Sequence, residues 1–137
     1  MSVISNTYGN NVLNYMFGQT EITIPTGLYM AVSTGAFSET PPHTNEPAPG
    51  SGYARVVIPN TTDYWYTSTA KSTHNVQTIQ FNTATDDWGT MKYYALMDTG
   101  TYGSGYPYVT GALLPNRAVY NGDVLKWTSG NFVINVQ

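Results

Sequence analysis

Short runs of alternating polarity, each shut off by proline, glycine or an Asn-Gly pair, constrain this chain more than any other feature. Leu28, Met30 and Val32 point one way and Tyr29, Ala31 and Ser33 the other, which is the period of a β-strand. The run from Tyr53 to Ile58 ends at Pro59, and Val76 to Phe81 turns Ile79 and Phe81 inward with Thr78 and Gln80 outward. Tyr93, Ala95 and Met97 alternate against Tyr94, Leu96 and Asp98, predicting a central strand; Tyr106 to Leu114 follows and is predicted to stop at Pro115. Thr83 to Gly89 reads as a turn, with a single helical turn capped by Thr85 as an option. In the last third, Asn121-Gly122 predicts a tight type I′ hairpin between Ala118-Val119-Tyr120 and Val124 to Trp127. Gly130-Asn131 then leads into a closing strand that buries Phe132, Ile134 and Val136. Strands this short, recurring about every dozen residues, predict a mainly β fold: an antiparallel β-sandwich or jelly-roll-like barrel with one short N-terminal helix. An α/β fold needs long helical crossovers, for which the chain has no room.

Two segments depart from the strand pattern. Asn10 to Gly18 is predicted to be the helix, because Val12 with Met16 and Leu13 with Phe17 stack at i,i+4 and Gly18 can stop it. Its apolar side suits a core-covering role better than a docking role for a partner. Gly35 to Gly52 holds Pro41, Pro42, Pro47 and Pro49 among small polar residues, so it is predicted to be a long loop, either a surface loop or an arm lying on a neighbouring subunit.

The polar surface has to be almost uncharged. Only 9% of the 137 residues are charged, against about 25% in ordinary domains. Five Lys and Arg against eight Asp and Glu, a net charge of -3, exclude a phosphate-binding surface and hence a nucleic-acid partner. The absence of cysteine removes disulfides, thiolate metal sites and thiol catalysis. No apolar run approaches a membrane span and no basic, apolar leader is visible, so the chain is expected to be a single soluble domain, residues 1–137, with no membrane partner and no secretion signal.

Residues able to do chemistry are few and badly placed for it. Asp86 and Asp87 are the only adjacent carboxylates, whereas glycoside hydrolysis needs two carboxyl groups facing each other about 5 Å or more apart. Asp63, Asp98 and Glu21 add no recognisable spacing. His43 and His74 stand in polar, loop-like surroundings outside any metal-ligand pattern and are expected at the surface. No serine sits in a G-x-S-x-G elbow, and no glycine-rich phosphate loop is followed by lysine. No catalytic residue, metal ligand or cofactor is therefore expected. Aromatic residues are the stronger signal: twelve Tyr and three Trp concentrate in Tyr64-Trp65-Tyr66, Tyr93-Tyr94 and Tyr102 to Tyr108. Such flat, amphipathic groups serve cross-strand packing, protein interfaces and sugar stacking.

Five strings in order carry a family resemblance: Val12-Leu13-Asn14-Tyr15-Met16-Phe17, Gly27-Leu28-Tyr29-Met30-Ala31-Val32, Gly52-Tyr53-Ala54-Arg55, Asp87-Trp88-Gly89-Thr90 and Asn121-Gly122-Asp123. Over nearly its whole length the chain resembles small tailed-bacteriophage virion proteins described as tail-fibre-like. In that family a short helix precedes a strand of Val-Tyr-Val-Ala-Leu type, a variable loop, a Gly-Tyr-x-Arg strand start, a Trp-Gly turn and a final strand after Gly-Asp. The chain departs at Gly27-Leu28-Tyr29-Met30, in its proline-rich loop and around Trp65. The resemblance implies a non-enzymatic virion structural protein on the outer particle surface, tail- or fibre-associated. Its partners would be other virion proteins and copies of itself, as a homo-oligomer with a trimer among the options. Capsid decoration is the close alternative. A carbohydrate-binding module for host surface glycans, stacking on Tyr64, Trp65, Tyr66 or Trp127, is the second. The candidate structural and interface residues are Arg55, Tyr64, Trp65, Tyr66, Trp88, Tyr93, Tyr94, Asp123 and Trp127. Within the resemblance Gly52 and Gly89 would supply turns, Trp88 a buried anchor, and Arg55 a bridge to a carboxylate or carbonyl.

Overall fold

The computed structural model describes residues 2–135. In chain order its elements are β1 (Ser2–Ile4), α1 (Asn6–Met16), β2 (Gly27–Ser33), a 3₁₀ turn (Pro49–Ser51), β3 (Val56–Pro59), β4 (Ser72–His74), β5 (Ile79–Gln80), β6 (Gly89–Met97), β7 (Pro107–Val119), β8 (Lys126–Trp127) and β9 (Val133–Asn135). Five of the strands form an antiparallel sheet in the spatial order β1-β7-β6-β2-β3. The remaining four make two antiparallel ribbons, β4 with β9 and β5 with β8. The fold is thus mainly β and antiparallel with one α-helix, and among the described residues no sheet closes into a barrel.

The period-two pattern decides which side chains go to which face. From β2 and β6, Met30, Val32, Tyr94 and Leu96 enter the main core, with Leu28 packed against it. The ribbons bring Ile79, Phe81, Trp127, Phe132 and Ile134 onto the same face, and the loops add Tyr53 and Trp88. Edge-on aromatic contacts knit this layer: Tyr94 and Phe132 centroids lie 4.8 Å apart, Tyr53 and Trp88 5.4 Å. Such pairs contribute about 0.5–1.5 kcal/mol each beyond the area they bury. The alternate residues Ala31, Ala95 and Met97 form a second, smaller cluster on the opposite face, with Tyr29 and Phe37 against it. Both faces of the central strands are therefore dry.

Several expectations need correction. Pro115 does not stop its strand: β7 runs on to Val119. The ladder with β6 skips there, since Met91 pairs with Arg117 and Tyr93 with Ala112, so the missing proline N–H falls where no ladder bond is required. The Asn121-Gly122 hairpin is not formed either, because β8 pairs with β5 and not with β7. Only Gly122 of the two central residues has positive φ, at 91°, whereas type I′ needs both. The turn is held from outside instead, Gly122 N donating to Ala84 O (2.8 Å) and Ala84 N to Asp123 O (2.9 Å). Gly130-Asn131 likewise joins strands of different ribbons. Thr83 to Gly89 contains no helical turn; Thr85 N donates to Ser51 O (2.9 Å). The strand expected over 76–81 is regular only at Ile79–Gln80, although Ile79 and Phe81 are buried. Of the closing strand, Phe132 and Ile134 are buried while Val136 lies outside the described residues.

Candidate functional site

Where β3 runs out, β2 goes on alone. Their pairing ends at Met30 opposite Val56, and the next outward-facing N–H, that of Val32, is taken by the Tyr53 hydroxyl oxygen at 3.2 Å. That hydroxyl donates in turn to Glu46 Oε2 (2.6 Å). Arg55 closes on the same carboxylate with two bonds, Nε to Oε2 (3.0 Å) and Nη2 to Oε1 (2.6 Å), both side chains having no exposure. Its remaining donor, Nη1, reaches Thr99 O (2.9 Å) and Ser104 O (2.7 Å), while Gly103 N donates to Glu46 Oε1 (3.2 Å). A buried charge pair is tolerable only when its spare donors and lone pairs are satisfied like this. Burial first, then the neighbouring Glu46 charge and its hydrogen bond, push the Tyr53 hydroxyl well above the ordinary tyrosine range.

The node ties the proline-rich loop to the body. His43 N donates to Gly103 O (2.9 Å), its ring Nε2 bonds Gly105 O (2.8 Å), and Thr34 N donates to Asn45 O (3.1 Å). His43 and Pro47 are buried with Glu46. His43 is therefore not the surface residue its sequence surroundings suggest; the loop folds over it, with Phe37 edge-on at 5.6 Å. His74 is half-buried and stacks on Tyr66 at 4.6 Å.

The helix behaves oppositely. It starts four residues before the predicted Asn10, because Ser5 caps it by accepting from Tyr8 N (3.2 Å). Glu39, from the proline-rich loop, accepts from Asn6 N through both carboxylate oxygens (3.2 and 3.1 Å), placing a negative charge at the helix N-terminus where the backbone dipole favours it. The far end stops at Gly18 (φ 71°), with Gln19 N bonding Asn14 O (2.7 Å) and Gly18 N bonding Tyr15 O (3.2 Å), the two bonds of a Schellman motif. None of the helix residues is buried, so the core-covering role is overturned. Its first turn leans on the body through Tyr8, edge-on to Tyr108 at 5.1 Å. Leu13, Tyr15, Met16 and Phe17 are all more than half exposed, Phe17 at 73%.

The sequence candidates scatter across the molecule. Trp88 and Trp127 are core residues at 5% exposure, Trp88 donating through Nε1 to Ser51 O (3.0 Å) and Trp127 lying under the Arg117 guanidinium at 5.5 Å. Neither offers an exposed face to a sugar. Tyr94 is buried against Phe132, its hydroxyl bonded to Ser2 Oγ, and burial raises its pKa. Tyr64, Trp65 and Tyr93 are half-buried; Tyr66 is exposed. Asp123 Oδ2 accepts from Tyr120 N (2.9 Å) and closes its own turn. Asp86 and Asp87 serve turns as well, accepting from Asp87 N and Asn121 N, both at 2.8 Å. Among the described residues, no group of three or more His, Asp or Glu side chains gathers at metal-binding distance.

Asn75, fully buried, is the residue that sequence reasoning missed. Its side chain donates to Gln77 O, Trp127 O and Thr128 O and accepts from Phe132 N (2.9 Å), so one amide joins the two ribbons. A lone Asn between two short strands carries no local sign of that task. Glu46 was missed too, although it and Glu39 are the only charged residues of the proline-rich loop and Arg55 is the next cation along the chain.

A family model described as "Podophage GP4 fiber I protein gp80" matches residues 3–135. The chain belongs to that family of phage fibre proteins. No curated protein matches it.

Proposed function

We propose that this protein is a non-enzymatic structural component of the phage tail, built into or attached to its fibres, where it assembles with other virion proteins and with copies of itself. The observation that carries this reading is the family match over residues 3–135, which covers nearly the whole chain. Physical support comes from what the side chains are used for. The adjacent carboxylates close turns, the one buried ion pair among the described residues pins a loop, and Leu13, Tyr15, Met16 and Phe17 stand more than half exposed on or just past a helix that buries no residue. Exposed apolar area of this kind belongs to interaction surfaces. No helix among the described residues is long and apolar enough to cross a membrane.

Gold-labelled antibody against the protein, applied to intact particles, tests the placement. Label confined to the tail is the expected result. Label spread evenly over the head would reject the tail assignment in favour of capsid decoration.

A further inference from the structure

We infer that Asn121-Gly122 is a site of spontaneous deamidation that the folded turn holds shut, so that the chain loses ammonia there only where the turn has opened. Asn121 is the only Asn of the chain that is followed by Gly, and it is exposed to water. Deamidation begins when the backbone nitrogen of the next residue attacks the Asn side-chain carbonyl carbon, and glycine puts no side chain in the way. Gly122 N gives its proton to solvent base and bonds to Asn121 Cγ; the Cγ–Nδ2 bond breaks and ammonia leaves. One water then opens the cyclic imide at either carbonyl. The product is Asp, or its isomer with the main chain routed through the side chain.

The turn's geometry opposes the first of these steps. Asp123 N donates to Tyr120 O (2.9 Å), and of the two central residues only Gly122 has positive φ, at 91°, which together define a type II turn. In such a turn the first central residue has ψ of about +120°, which lays the Gly122 nitrogen over the Asn121 α-hydrogen. Ring closure needs that nitrogen over Cβ, which in an L residue lies on the negative-ψ side. The peptide between Asn121 and Gly122 must therefore swing through about 120° before it can react. That swing takes Gly122 N off Ala84 O, to which it donates at 2.8 Å, and strains the bond from Asn121 N to Asp87 Oδ1, also 2.8 Å. The product fits the turn poorly. A carboxylate at 121 joins those of Asp87 and Asp123, the latter accepting from Tyr120 N (2.9 Å), so like charges crowd one turn. The isomer adds a backbone atom between 121 and 122, and the bonds from Gly122 N and Asp123 N no longer close together. An opening long enough to react is thus made permanent.

Full-length protein, folded or unfolded in guanidinium chloride, is kept in mildly alkaline buffer and sampled by digestion and mass spectrometry. The expected result is the mass gain of an amide turned acid, fastest in the peptide carrying residue 121, at a rate roughly tenfold or more lower in the folded sample. Equal rates overturn the protection, and no gain at 121 in the unfolded chain overturns the site. Hydrogen exchange of the Gly122 amide identifies the latch, because exchange and deamidation both need the bond to Ala84 O to break. The retardation of deamidation should match the protection of that amide within severalfold. A Gly122 amide that exchanges freely in a protein whose Asn121 is nonetheless spared overturns the proposal.

Discussion

The helix and the proline-rich loop exchange the places that hydrophobicity would assign them. The apolar segment, with Leu13, Met16 and Phe17 outward, buries no residue, while the polar segment sinks His43, Glu46 and Pro47 into the body. What separates them is the partner each can reach. Past Val12 the helix side chains are left exposed. The loop meets a sheet edge left open where β3 ends, and its one deep carboxylate finds Arg55, Tyr53 and a backbone N–H there. Burial follows from a completed set of bonds as much as from the apolar character of a side chain.

The largest test of that contrast is to leave Arg55 buried and alone. Glu46→Ala is expected to cost about 3–5 kcal/mol, measured by urea denaturation. Replacing both partners, Glu46→Gln with Arg55→Met, should recover much of that loss. An equal loss in the double variant would show that loop packing, and not the stranded charge, sets the cost.

Tyr53→Phe comes next. It removes the hydroxyl shared by Val32 N and Glu46, for an expected loss of about 1–3 kcal/mol near neutrality. Its pH signature separates it from simple packing. Because the folded state raises the Tyr53 pKa, the resulting stability is complete below the unfolded value of about 10 and is lost as pH climbs from there through the raised one. Melting temperature between pH 9 and 11 should therefore fall more steeply in the unaltered protein than in Tyr53→Phe.

Hydrogen exchange compares the two regions directly. The His43 amide, bonded to Gly103 O, should exchange slowly, and the amides of Asn14 to Phe17 quickly, although only the latter belong to regular secondary structure or its cap. Comparable protection in both would mean that the helix is covered in the isolated protein. The smallest effect is expected from Met16→Ser, which should change the stability of the isolated domain by no more than about 0.5 kcal/mol.

Strand faces were legible because period two is local. Leu28, Met30 and Val32 against Tyr29 and Ala31 sort into the two apolar clusters as the pattern requires. Pairing partners were not legible. The Asn-Gly dipeptide signals a turn but not which strand follows it into a ladder, and β8 crosses to β5 because Phe81 N and Leu125 O, 44 positions apart, meet at 2.9 Å. The helix was legible in type and at Gly18; its start was hidden because the cap, Ser5, precedes an Asn-rich turn with poor helix propensity. For the site, Arg55 could be singled out as a bridge, but its carboxylate lies across a run of prolines whose path no periodicity describes. Contacts chosen by a chain's route through space leave no mark in spacing.

A further consequence follows from the enclosure of Glu46 and Arg55, neither side chain of which is exposed. At physiological strength dissolved ions largely screen surface charges more than about 8–10 Å apart, but they do not enter a dry interior. With 9% of its residues charged and this ion pair sealed away, the domain has little for salt to act on. Its fold should stand nearly unchanged between dilute fresh water and brine.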